Sequence, residues 1–221
     1  MSSNYKRGVN VEHFKSDTIK VVVGTAPASC SAFIVHRSLI CGVSPFFRAA
    51  CNREWREGKT GVVELPEDNP GVFGAFLQYI YTDGCDALNP TETLRSLDTG
   101  QVKQAINLYV LADKLGVVQL ANDATSTLWS SYHDRDLKIE DIEMVYATTP
   151  TNSALRRLVV DEVVRDPKRY RRGWGNDLDR LKKLSDFMVD LGIARIQGSD
   201  EEAQKRWNEG PCEYWRPVDG A

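Results

Sequence analysis

Apolar and polar positions first alternate, then bunch, then recur at helical spacing, and these changes of period divide the chain into elements. Asp17 to Gly24 is a β-branched run closed by glycine, which predicts a strand. Thr25 to Ser29 is turn material, so Cys30 to Val35 is expected to pair back on that strand as a hairpin. His36-Arg37 ends the second strand, and Leu39 and Ile40 begin a short apolar turn that Gly42 is placed to close. Ser44-Pro45 restarts the chain. Ser44 suits a helix N-cap, and Pro45 suits the first helical position, where a missing N–H costs nothing. Phe46, Phe47, Ala49 and Ala50 give that helix an apolar face. A polar loop from Asn52 to Gly61 then leads to a third short strand, Val62 to Leu65.

The period changes to that of a helix after Asp68-Asn69-Pro70. Val72, Phe73, Phe76, Leu77, Ile80 and Tyr81 form a core-facing stripe, and Thr82-Asp83-Gly84 ends it. Residues 86 to 99 read as a polar loop. A second helix, Val102 to Leu115, carries Ala105, Leu108, Tyr109, Leu111, Ala112 and Leu115, with Gly116 as a natural residue just past its end. A third runs from Val118 to about Tyr132. Beyond Asp134 the pattern stays helical but is more charged. Ile139, Ile142, Val145 and Tyr146 mark one helix; Leu155, Leu158, Val159 and Val163 mark another, stopped at Asp166-Pro167. Leu178, Leu181, Leu184, Met188 and Leu191 mark a third of near-heptad spacing, expected to face the core, although the same spacing would serve a partner helix. The last 25 or so residues, with Trp207 and Trp215, show no periodicity.

Composition narrows the class. The chain has 221 residues, 42% hydrophobic and 27% charged, enough to bury a core. A net charge of −3 gives no global pull toward nucleic acid or anionic membrane. The first residues lack an apolar segment of the secretory type, and no apolar run approaches the roughly 18 residues that span a bilayer. Cys30, Cys41, Cys51, Cys85 and Cys212 are scattered and odd in number, which fits free, mostly buried thiols in a reducing interior, cytoplasm or nucleus.

Candidate chemistry is sparse. His36 and Cys41 would suit a Cys–His nucleophile pair, but a strand-end histidine bonded to Asp17 or backbone beside a small buried cysteine is the better reading. His13, His36 and His133 lie far apart, no Cys/His pair has ligand spacing, and no phosphate-binding glycine motif occurs, so neither metal nor cofactor is expected. Residues 165–172 hold five basic side chains against one acidic, with Tyr170 and Trp174 close by. Such a segment would serve nuclear import or nucleic-acid contact, but neighbouring Asp161, Glu162 and Asp177 favour a solvated helix end.

Several pieces occur in an order that resembles the BTB/POZ domain family. They are Ser16-Asp17 before the first strand, Phe33-x-x-His36-Arg37 with Leu39, Ser44-x-x-Phe47 and Val63-x-Leu65-x-Glu67-Asp68. Phe76-Leu77-x-x-Ile80-Tyr81-Thr82 and Leu108-x-x-Leu111-Ala112-Asp113-Lys114-Leu115-Gly116 follow. The likeness covers about residues 16 to 130, and residues 139 to 165 resemble the helical tail of short BTB proteins common in filamentous fungi. The resemblance implies an α+β (mixed α/β) fold with a small three-to-five-stranded sheet flanked by short helices. It divides the chain into a flexible N-terminal segment (1–15), a BTB/POZ domain (16–132), a helical C-terminal extension (133–194) and an irregular tail (195–221).

The resemblance further implies a non-enzymatic protein-interaction module that forms homo- or hetero-oligomers, often a homodimer, and serves as an adaptor on a cullin-based ubiquitin ligase. In the family an Asp before the first strand and the basic residue after the His line a charged pocket near the dimer interface. These positions are Asp17 and Arg37 here, with His36 between them; by their chemistry they read either as a structural ion pair or as part of a ligand-facing pocket. Cullin-binding members carry an apolar-x-Glu motif before the third strand, which falls here on Trp55, Arg56 and Glu57. An exposed aromatic beside a carboxylate suits a contact hot spot, while the plain alternative is a solvated loop with Trp55 folded onto the core. The runner-up function is a nuclear regulatory protein that acts through partner assembly and uses 165–172. Two features depart from the family: the segment before Asp17 is short and weakly apolar where dimerising members carry a long amphipathic helix, and no substrate-recruiting module is visible.

Overall fold

The computed structural model describes residues 9–25, 29–52, 56–82, 99–174, 177–196 and 200–217, the side chains of 56, 171–173 and 200 excepted. The chain divides into two compact units, residues 1–91 with 111–120, and residues 92–110 with 121–221. Among the described residues the fold is α+β, with one three-stranded sheet and a helical C-terminal region.

In the first unit, α1 (Val11–Phe14) precedes β1 (Thr18–Val23), β2 (Ser31–His36), α2 (Arg37–Val43) and α3 (Pro45–Ala50). Then come α4 (Arg56–Thr60), β3 (Val62–Leu65) and α5 (Pro70–Tyr81). The sheet order is β2-β1-β3, with β1 antiparallel to β2 and parallel to β3. Strand alternation sends Ile19, Val21, Val23, Val35, Val63 and Leu65 to one face, where they are buried with Leu39, Ile40, Phe47, Phe73 and Phe76. Gly42 does not close a turn. It lies inside α2, which ends one residue later where Ser44 takes an extended conformation. On α5 the buried arc is Phe73, Ala75, Phe76, Tyr79 and Ile80, rotated slightly from the expected stripe, so that Val72, Leu77 and Tyr81 are half-buried at its edges.

Caps define the helix starts. Asn69 Oδ1 accepts from Gly71 N at 2.8 Å and Val72 N at 3.2 Å, and Pro70 follows at the first helical position. Ser44 Oγ accepts from Phe47 N at 3.3 Å and donates to the Leu115 carbonyl at 2.7 Å. That carbonyl ends α6 (Thr99–Leu115), and Gly116 follows with φ +71°. A Cβ on Gly116 would stand 3.2 Å from Pro45, so both backbone conformation and close packing require glycine.

The second unit contains α7 (Val118–Asp134) from Ala121 onward, α8 (Ile139–Thr148), α9 (Ala154–Arg165), α10 (Pro167–Gly173) and α11 (Leu178–Leu181). α12 (Ser185–Ile196) and α13 (Asp200–Glu209) follow, and a 3₁₀ turn covers Pro211–Tyr214. α9 is the centre, buried from Ala154 to Val164 except at Arg157. Its charges are therefore paired. Arg206 forks onto both Asp161 oxygens at 2.7 Å, and the Tyr214 hydroxyl donates to Asp161 at 3.0 Å. Glu162 accepts from Arg165 at 2.7 Å, Arg169 at 3.3 Å and the Tyr170 hydroxyl at 2.5 Å. Burial is the largest influence on Glu162 and raises its carboxyl above the ordinary range despite these partners; Asp141, ion-paired with Arg135, is raised for the same first reason.

Three expectations change here. The Leu178–Leu191 stripe is not a continuous core face, because the helix breaks between α11 and α12 and loses its phase. Phe187 is buried instead, while Leu178 and Met188 are exposed. The tail from 195 is not wholly irregular: α13 buries Ala203 and Trp207, and Tyr214 is buried in the turn after it. One i, i+4 pair is too little apolar pattern to reveal a helix. Within the segment read as flexible, Val11–Phe14 form a helical turn capped by Asn10.

Candidate functional site

The outer face of the sheet's edge in the first unit is the exposed apolar surface nearest the expected site. Ile34 and His36 lie two residues apart on β2 and share a face, while Val35 between them is buried. Ile34 is 66% exposed, Phe14 52% and Val11 66%. The Phe14 ring meets the His36 ring edge-on at 5.2 Å, so α1 lies against the end of β2. Tyr81, at the end of α5, holds His36 from the other side: its hydroxyl oxygen accepts from the His36 backbone N–H at 3.1 Å and bonds Nδ1 at 2.9 Å. His36 is thus a positioned strand-end residue, bonded to Tyr81 rather than to Asp17 or a backbone group.

Asp17, Arg37 and Ser38 line a solvent-open cleft of about 540 Å³ with Lys15, Cys41 and Arg48. The expected Asp17–Arg37 ion pair is not formed. The two residues are joined through backbone instead, Arg37 N–H donating to the Asp17 carbonyl at 2.8 Å. The Arg37 guanidinium reaches along α2 and donates to the Cys51 carbonyl, at the C-cap of α3. Ser38 and Ser16 bond through their hydroxyls at 2.9 Å and tie α2 to the segment before β1. Asp17 and Arg37 both line the cleft. Cys41 Sγ points to the Phe47 carbonyl at 3.5 Å, and His36 Nδ1 to Tyr81, so the two do not form a nucleophile–base pair.

The β1–β2 hairpin, the α2–α3 helix pair and the third strand occur as the opening motifs predict, in a sheet ordered β2-β1-β3. A family comparison matches residues 13–128 to the BTB/POZ domain. The chain belongs to the BTB/POZ family. BTB/POZ domains are protein-interaction modules, and protein binding is the functional class of the chain. None of the curated proteins compared with it matches.

The remaining BTB-type site residues divide. Trp55 lies outside the described residues, as does the Arg56 side chain; Glu57 is half-buried in the first turn of α4, and its carbonyl accepts from Gly61 N at 2.8 Å. In the basic segment Arg165 and Arg169 turn inward to Glu162, Arg169 also bonding Asp136 at 2.5 Å, while Lys168 is exposed. The Arg171 and Arg172 side chains lie outside the described residues. Thiols are less buried than expected: Cys51 is buried, Cys41 half-buried, and Cys30 and Cys212 exposed, with Cys85 outside the described residues. Among the described residues no group of His, Cys, Asp and Glu could hold a metal ion, and no helix is long and apolar enough to cross a membrane.

Sequence reasoning missed Phe14 and Tyr81 as parts of the site. Phe14 was detectable as an aromatic in a polar segment, and Tyr81 as a polar-tipped aromatic at the edge of a core stripe.

Proposed function

We propose that this BTB/POZ protein self-associates as a homodimer through the outer face of β2 and α1. The observation that supports this is the contiguous exposure of Val11, Phe14 and Ile34 around a fixed His36. Apolar side chains clustered on one face mark an interaction surface where scattered ones do not. The short α1 supplies an aromatic anchor without a long helix. Replacing Phe14 with Ser and Ile34 with Asp is expected to weaken association at least tenfold in sedimentation experiments, because a charge at each symmetric contact lacks a partner. Unchanged association would remove this face from the reading.

We further propose that Trp55, Arg56 and Glu57 contact a cullin-type scaffold from an intracellular location. Support comes from their position before β3, matching the family's apolar-x-Glu motif, and from Glu57 opening α4. Capture of a cullin by the intact protein, lost on Trp55→Ala with Glu57→Ala, is the expected result. Equal capture by both proteins, or none by either, would overturn it. The nuclear reading has less support, since Arg165 and Arg169 are engaged by Glu162.

A further inference from the structure

The cleft beside Arg37 contains two thiols that the interaction reading does not use. Cys41 lies on α2 and Cys51 caps α3, the helix packed beside it. Both line the same solvent-open cleft, and they meet at one carbonyl: Cys41 Sγ lies 3.5 Å from the Phe47 oxygen, which also accepts from Cys51 N–H at 2.9 Å. Arg37 donates to the Cys51 carbonyl, and Arg48 donates to the Cys41 carbonyl at 3.2 Å, so each guanidinium is anchored beside a thiol. The charged groups lining the cleft are Lys15, Arg37 and Arg48 against Asp17. Lys15 is ion-paired with Glu12 at 2.6 Å, whereas Arg37 and Arg48 meet only carbonyls among the described residues. A cationic, solvent-reachable cleft favours a thiolate.

The two sulfurs are not equivalent. Cys51 is lowered to about 7, first by the adjacent Cys41 side chain and then by Arg37, against the opposing effect of burial. Cys41 is raised well above the ordinary thiol range, first by the adjacent Cys51 and then by burial.

We propose that Cys41 and Cys51 form a peroxide-reactive dithiol in which Cys51 is the attacking sulfur and Cys41 resolves the product to an intrachain disulfide. The Cys51 thiolate attacks one oxygen of hydrogen peroxide. An S–O bond forms, the O–O bond breaks, and the departing hydroxide takes a proton from solvent to become water. Sulfur is oxidised to the sulfenic acid and the peroxide is reduced. Cys41 then gives up its proton and attacks the Cys51 sulfur; the S–S bond forms, the S–O bond breaks, and hydroxide leaves with that proton as a second water. The disulfide staples α2 to α3 beneath Arg37.

The test uses the full chain. Trypsin cleaves after Arg48 and separates residues 38–48 from 49–53, so a Cys41–Cys51 link appears directly in peptide mass spectrometry. After limited hydrogen peroxide, the expected first product is that linked pair, lighter by two hydrogens and reversed by reductant, formed before oxidation at exposed Cys30 and Cys212. Cys41→Ser is expected to leave a sulfenic acid at Cys51 that dimedone traps. At neutral pH Cys51 should react with iodoacetamide faster than free N-acetylcysteine. Wild-type protein alone decides the matter should the variant misfold. Oxidation of Cys30 or Cys212 ahead of Cys51, or a first product without the 41–51 link, would overturn the proposal.

Discussion

Ser44 performs two tasks with one hydroxyl, capping α3 through Phe47 N and donating to the buried Leu115 carbonyl. Removing it loses a cap, worth about 1 kcal/mol, and leaves a buried carbonyl unpaired, costing about 1–3 kcal/mol. Ser44→Ala is therefore expected to lower unfolding free energy by about 2–4 kcal/mol in urea titration, and a loss under about 0.5 kcal/mol would show that the clasp contributes little. The cap was legible because Ser-Pro before a Phe-Phe pair has a local meaning. The bond to Leu115 was not, since it joins positions 71 residues apart. Arg37 illustrates the same limit. Its place after the strand-end histidine left an ion pair with Asp17 and a pocket position both open, and only tertiary packing sends its guanidinium to the Cys51 carbonyl.

At the scale of elements, α9 carries the most informative energetics. Glu162 is raised in the fold, so its protonated form is favoured there and the stability it contributes is present below its ordinary pKa and lost as pH rises through the raised one. Glu162→Gln fixes the neutral form. The variant is expected to be most destabilised relative to wild type at acidic pH and to close that gap as pH rises above the ordinary carboxylate range. A gap that widens with pH would mean that Arg165 and Arg169 outweigh burial. The apolar stripe of α9 was visible in its Leu and Val spacing, whereas the burial of Arg156, Asp161 and Glu162 was not, because their partners at the end of α8 and on α10, α13 and the final turn come from other parts of the chain. Two other helices separate pattern from packing. Met188 continued a heptad on paper yet is exposed on α12, while Trp207, in a stretch without periodicity, is buried on α13. Trp207→Ala should cost about 3–5 kcal/mol and Met188→Ala less than about 0.5 kcal/mol. Thermal unfolding of the two variants checks this, and the reverse order would contradict the placement of both helices.

For the whole molecule, the family follows from motif order: no single piece between Asp17 and Gly116 identifies it, but their sequence along the chain and the strand order β2-β1-β3 agree. The contact face was only half legible. His36 stood out as the residue between strand and helix, but exposed Val11, Phe14 and Ile34 gain meaning only when α1 lies against β2. Self-association through that face is the central claim, and light scattering on the intact chain across a dilution series tests it most directly. The account predicts a particle of twice the chain mass that gives way to a single-chain particle when Phe14 and Ile34 are made polar. A single-chain mass for the wild type at every concentration would contradict it.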